Sequence, residues 1–207
     1  MSLNAVTFDW PDRLYDKRTE HMMQFGQIDL ATWHPRTVGA FEQLYAEFQP
    51  AIRNYLLGMC SDIGLAEELT QEVFVRAATS LLLFRGESSV STWLFRIARN
   101  TYLSWAERQR DAEIDTEEFC ALPDQRPHGN PEIMLLQTEQ RTTIRRALAM
   151  LPERQRTMLL LRDLQGFSYA EIAVVLNLSL ATVKVNIHRA RLRFREIYDQ
   201  LEGVDDE

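Results

Sequence analysis

Apolar positions recur three and four residues apart along most of the chain, the spacing of helices with one face turned inward. Phe41, Leu44, Tyr45, Phe48, Ile52 and Leu56 form the first such stripe, which Gly58 and Ser61-Asp62 interrupt. A second helix is predicted over 65–83, with Leu69, Val73, Ala77 and Leu81 inward. Its outer face carries Glu67, Glu68, Gln71, Glu72 and Arg76, with Phe74 near the edge. Residues 84–89 form a polar loop, and Ser91 or Thr92 can cap a third helix running from Trp93 to about Arg110. There Leu94, Ile97, Ala98, Thr101 and Trp105 point inward. Arg96, Arg99, Asn100, Leu103 and Arg110 point outward, with Trp93 beside Arg96 and Asn100.

The pattern then lapses. Residues 111–137 are acidic and hold Pro123, Pro127, Gly129 and Pro131, the composition of a linker. A helix resumes over Gln137 to Met150, with Ile144, Leu148 and Leu151 inward. Pro152 fits the first turn of the next helix, to Gln165, and Gly166 ends it. No strand-like alternation and no internal repeat occur. The fold class is therefore all-α: two small helical domains, 37–110 and 138–203, joined by an acidic flexible linker. Residues 1–36 show no clear period and read as an extension; 204–207 are an acidic tail.

Phe167 to Arg195 carries the most specific local pattern. Ser168 with Glu171 makes a capping box, so a helix starts there, and Ile172, Val175 and Leu176 give it one apolar face. Asn177 tolerates the left-handed backbone of a tight turn, and Ser179 suits the next N-cap. The following helix sorts at about 100° per residue into two faces. Leu180, Val183, Ile187, Ala190 and Phe194 are apolar; Ala181, Thr182, Val185, His188 and Arg189 lie opposite. This is a helix-turn-helix whose second helix suits a DNA major groove.

Charge sharpens that picture. The 207 residues have a net charge of −7, which by itself argues against a DNA binder. The distribution argues for one. Lys184, Arg189, Arg191, Arg193 and Arg195 meet no acid before Glu196, whereas 111–139 holds acids against the single base Arg126. Trp93 next to Arg96 and Asn100, just after a polar loop, is an arrangement a single-stranded base could stack on. Taken alone, such a tryptophan is more often a half-buried packing residue.

Other chemistry is thin. Cys60 and Cys120 lack metal or redox spacing and read as structural thiols. No paired carboxylates occur with a convergent His, no Gly loop cradles phosphate, and the four His are scattered, so no catalytic residue, metal or cofactor is expected. No apolar run approaches the roughly 18 residues that span a bilayer. The first residues carry no secretory pattern, and a cytoplasmic protein is expected.

Three stretches in order bring a family into view. They are Leu65-Ala-Glu-Glu-Leu-Thr-Gln-Glu-Val-Phe-Val-Arg76, Phe84-Arg-Gly-Glu-Ser-Ser-Val-Ser-Thr-Trp-Leu-Phe-Arg-Ile-Ala-Arg-Asn100, and Leu151-Pro-Glu-Arg-Gln-Arg with the helix-turn-helix. Together they resemble an extracytoplasmic-function (group IV) sigma factor of bacterial RNA polymerase, over about residues 38–110 and 138–200. The resemblance implies that Glu67, Glu68, Leu69, Gln71, Glu72 and Phe74 dock on the clamp helices of the largest polymerase subunit. It implies that Arg85, Ser88, Ser89, Trp93, Arg96, Arg99 and Asn100 melt the minus-ten element, where a base is flipped and held. The second domain would read the minus-thirty-five element through Ser168, Tyr169, Thr182, Lys184, Val185, Asn186, His188, Arg189 and Arg191, and sit at the flap. The linker would cross the active-site cleft along the RNA path. Core polymerase and promoter DNA are the implied partners, with an anti-sigma factor controlling a stress or envelope response; no small-molecule substrate is implied. Ser104 stands where the family often has Asp, and Val185 and Asn186 where small or basic residues are common. Both departures bear on promoter sequence. A stand-alone helix-turn-helix regulator would explain 167–195 but neither the acidic helix nor the Trp93 cluster.

Overall fold

The computed structural model describes residues 39–113 and 142–205. The expected extension over 1–36 and nearly all of the expected linker, with Cys120, lie outside them. Every described element is helical.

Helix α1 (Ala40–Cys60) follows Gly39, whose φ of 81° lies in the left-handed region. It runs through Gly58, which sequence takes as a break, and carries Pro50 on its exposed side. The interruption comes at Ser61, left-handed at φ 59°, whose N–H donates to Leu57 O at 2.8 Å. Asp62 then caps α2 (Ile63–Ser80), its carboxylate accepting from Leu65 N at 2.7 Å. A 3₁₀ turn over Leu81–Leu83 follows. Helix α3 (Val90–Glu113) begins three residues earlier than expected. Its cap is Ser89, not Ser91 or Thr92: the Ser89 hydroxyl accepts from Thr92 N at 3.1 Å.

The second half opens with α4, over 142–149, where Ile144, Ala147, Leu148 and the following Leu151 are buried. Pro152 precedes α5 (Glu153–Leu159), which widens into a π turn over Leu160–Leu164. Gly166 closes it at φ 72°. Helices α6 (Tyr169–Leu176) and α7 (Leu180–Asp205) complete the chain.

The two halves share one continuous core. This is the main departure from two separate helical units on a linker. Phe95 and Tyr102, one above the other on α3, are buried on a face that sequence leaves outside the core. The Phe95 ring meets Phe167, from the loop before α6, edge-on at 4.9 Å, and Tyr55 of α1 at 5.5 Å. The π turn sets three successive leucines, Leu159, Leu160 and Leu161, in the core, so one helix serves both halves. Leu160 lies on Gly58, where a Cβ would stand 2.6 Å from its Cδ2. A larger residue at Gly58 would have to displace the Leu160 side chain, so the glycine lets the two halves approach closely at this point of α1.

Candidate nucleic-acid interface

The helix-turn-helix is built as its residues demand. Ser168 Oγ accepts from Glu171 N at 3.2 Å, and Glu171 Oε2 accepts from Ser168 N at 2.8 Å. Asn177 ends α6 at φ 52°, ψ 53°. Ser179 caps α7, accepting from Thr182 N at 3.1 Å. The two helices meet at 102°, within the range of DNA-reading motifs.

On α7, Val183, Ile187, Ala190 and Phe194 are buried as expected. Leu180 is 45% exposed instead, because side chains lean toward a helix's N-terminus and the first one leans off its end. Ala181, Lys184, Val185, His188, Arg189 and Arg193 form the exposed face. Five assigned contacts are already engaged within the protein: Ser168 in the capping box, Thr182 Oγ1 at 2.7 Å from Ser179 Oγ, and three more. Asn186 Nδ2 donates to Thr182 O at 2.8 Å. Tyr169 lies under the Arg162 guanidinium, 4.8 Å from its ring centre. Arg191 grips Asp163 with two nitrogens, and that carboxylate raises its pKa above the ordinary value. Sequence treats Arg191 as free charge because Asp163 is remote along the chain.

On α2, Leu69 (1% exposed) and Phe74 (3%) are core residues, so they offer no surface for docking. Leu69 packs inward with Val73 and Ala77, and the Phe74 ring meets Tyr45 at 4.7 Å and Phe41 at 6.4 Å. Glu67 pairs with Arg53 at 2.9 Å and Glu72 with Arg76 at 2.5 Å. Glu68 and Gln71 are exposed, and so is Val75, at 64%. Sequence overlooks Val75, although it falls four residues after Gln71 on the outer face.

On α3, Trp93 is not outward. It is 8% exposed, its ring 5.3 Å from Phe84, and belongs to the core edge. The reason is the preceding loop, whose Phe84 packs on the indole and covers that side of α3. Ser89 is spent on capping, and Ser88 Oγ donates to Ser89 O at 3.3 Å. Arg85, Arg96 and Asn100 are exposed. Arg99 faces the other half: its Nε lies 3.7 Å from Glu153 Oε1, and its side chain is only 19% exposed.

Around that pair lies a polar seam. Arg156 Nη1 donates to Met59 O at 2.5 Å, Thr157 Oγ1 to Glu153 Oε1 at 3.1 Å, and Gln165 Nε2 to Ala51 O at 3.4 Å. Burial raises the pKa of the Tyr55 and Tyr102 phenols and of the Cys60 thiol, so all three stay neutral at physiological pH. Among the described residues no group of three His, Cys, Asp or Glu converges to hold a metal.

Two family models match the chain: Sigma-70 region 2 over residues 44–112 and Sigma-70, region 4 over 141–194. The chain is 36% identical over 160 residues to the RNA polymerase sigma factor YlaC of Bacillus subtilis, spanning 76% of this chain and 91% of that protein. The chain belongs to the extracytoplasmic-function sigma factors of bacterial RNA polymerase.

The ECF RNA polymerase sigma-E factor of Escherichia coli is 33% identical over 159 residues, covering 73% of this chain and 83% of its own. Among solved structures, the sigma factor RpoE in complex with the anti-sigma factor NepR from Bartonella quintana superposes with a TM-score of 0.66 at 26% identity. That superposition covers 78% of this chain, more than either half contains, and 98% of the other. The sigma factor acts with core polymerase on promoter DNA to initiate transcription. Helices α1–α3 form its region 2 and α4–α7 its region 4. The region 2 match leaves the stand-alone regulator without support.

Proposed function

We propose that this sigma factor docks on the polymerase clamp through Glu68, Gln71 and Val75 of α2, opens the minus-ten element along α3, and reads the minus-thirty-five element with α7. The observation that carries the reading is the exposed row Lys184, Val185, His188 and Arg189, backed by the buried Val183, Ile187 and Ala190. Arg is the commonest partner of guanine in the major groove, and Val can meet a thymine methyl. Arg193 and Arg195 lie further along the helix and suit phosphates, although Arg195 also has Asp199 at 3.8 Å.

At the minus-ten element, Arg85, Arg96 and Asn100 are the exposed groups of the assigned set. Trp93 contributes by shaping the wall from beneath, together with Phe84. The protein makes and breaks no bonds itself, needs no cofactor, and works in the cytoplasm under an anti-sigma factor, in keeping with the complex in which its structural relative was solved.

The test is transcription by core polymerase, with and without this protein, on a promoter library randomised at the minus-thirty-five element. Sequence-selective start sites that need the protein are expected. Selection that survives removal of the α7 row, by His188→Ala with Arg189→Ala, would remove the minus-thirty-five assignment.

A further inference from the structure

Four large apolar side chains of region 2 stand open. Tyr45 is 43% exposed, Val75 64%, Leu82 65% and Leu83 76%. Val75 and Leu82 are seven residues apart and so share one side of α2 and the turn that continues it. Tyr45 joins them through Phe74, whose ring it meets at 4.7 Å. From Ala77 to Phe84 the chain carries no charge. Single exposed apolar residues are ordinary, but adjoining ones on a charge-free stretch mark an interaction surface.

The packing of α1 on α2 brings one occupant within reach. The contacts Arg53–Glu67, Tyr45–Phe74 and Phe41–Phe74 are nested about the turn at Ser61-Asp62, so the two helices run antiparallel. Leu82 and Leu83 stand eight and nine residues beyond Phe74, about 12 Å along the axis. Phe74 lies level with the first two turns of α1, so the leucines come beside or past its first residue, Ala40. There the chain enters from residues 1–38. Those residues carry apolar groups of their own: Phe25 to Pro35 holds Phe25, Ile28, Leu30 and Trp33, with Asp29 as the one acidic or basic residue. Trp33 precedes Gly39 by six residues, which reach about 20 Å when extended.

We propose that the segment Phe25–Pro35 docks on the patch of Tyr45, Val75, Leu82 and Leu83, with Leu30 and Trp33 as its anchors. A tether of a few residues presents the segment at roughly millimolar effective concentration, so a modest apolar contact is enough to hold it. Val75 also belongs to the face proposed above for the polymerase clamp. On that reading, core polymerase displaces the segment as it docks, and the segment tunes the affinity of that step.

The experiment uses the full-length protein. Hydrogen–deuterium exchange read by mass spectrometry, without DNA or polymerase, reports docking and does not depend on where the clamp binds. Amides of residues 28–34 are expected to be protected in the wild type. Leu82→Glu with Leu83→Glu should abolish that protection while helical circular dichroism is unchanged, because both side chains point to solvent. Photoreactive benzoylphenylalanine in place of Leu83 should crosslink within one molecule to residues 25–35, and Leu30→Ala with Trp33→Ala should remove the crosslink. The same alanine pair should raise affinity for fluorescent core polymerase by about threefold if roughly two molecules in three are covered. Residues 28–34 that exchange as an unstructured peptide overturn the proposal. So does protection that survives Leu82→Glu with Leu83→Glu, or a crosslink from position 83 that joins two molecules. If protection and crosslink respond as expected while core affinity is unchanged, docking of the segment stands and the assignment of Val75 to the clamp face falls.

Discussion

Glu153, the first residue of α5, sets its carboxylate 3.7 Å from the guanidinium of Arg99 on α3 and also accepts from Thr157 at 3.1 Å. The pair joins a motif of region 2 to a motif of region 4. Its side chains are 19% and 34% exposed, so solvent screens much of the attraction. Glu153→Gln should therefore lower stability by only about 0.5 kcal/mol in urea unfolding of the intact chain. A loss several times larger would mean the pair organises the seam and does not merely latch it.

Trp93→Ala should be costly for the fold. A nearly buried indole against Phe84 leaves a cavity, and about 3 kcal/mol of stability should be lost. Promoter opening, followed by permanganate footprinting, should fall as well, because the wall under the minus-ten surface collapses. A variant with full stability and no opening would return Trp93 to direct contact with a base.

On α2, the outer and inner residues should separate cleanly. Glu68→Arg with Gln71→Arg should hold stability within about 0.5 kcal/mol while abolishing co-purification with core polymerase. Leu69→Ala should instead cost about 2–5 kcal/mol, as a buried leucine does. Retained co-purification of the double charge variant would move the docking surface elsewhere.

Arg191 and Arg189 are neighbours in sequence but should behave differently. Arg189→Ala should shift minus-thirty-five preference by about 1–3 kcal/mol at one position and leave stability near wild type. Arg191→Ala removes a charged partner from Asp163, whose side chain is 8% exposed, and should destabilise by about 1–3 kcal/mol. The randomised promoter library and urea unfolding together distinguish them. A preference change from Arg191→Ala in a fully stable protein would count against the structural role.

Cys60 provides a pH test. Burial raises its thiol pKa, and its Sγ also donates to the Asp62 carbonyl at 3.3 Å. A raised pKa leaves less thiolate at any pH below it, so reaction with a disulfide reagent at pH 8 should be slower than for a free thiol. The rate should climb with pH through an inflection above the ordinary cysteine value. The measurement belongs in a Cys120→Ser background. Reaction as fast as free glutathione at pH 8 would show Cys60 open to solvent.

Local pattern determined the helices, the capping box, the left-handed Asn177 and the apolar stripe of α7 from Val183 onward. Each depends on residues within a turn or two of one another, where backbone hydrogen bonding and 3.6-residue periodicity act directly. Motif order was equally legible, and with it the family. Several of the errors share one physical origin. Arg99 read as outer and Gly58 as interrupting, and Phe95 went unassigned, because each is satisfied by a residue of the other half, and no periodicity within one helix can show that a second unit covers its far side. Asp163 likewise took Arg191 from a distance along the chain that charge counting within a window cannot span. Sequence set the apolar face that each helix offers; only tertiary packing decided that α3 would also bury the side carrying Phe95 and Tyr102, because aromatic and aliphatic surface left over by one half was removed from water by the other.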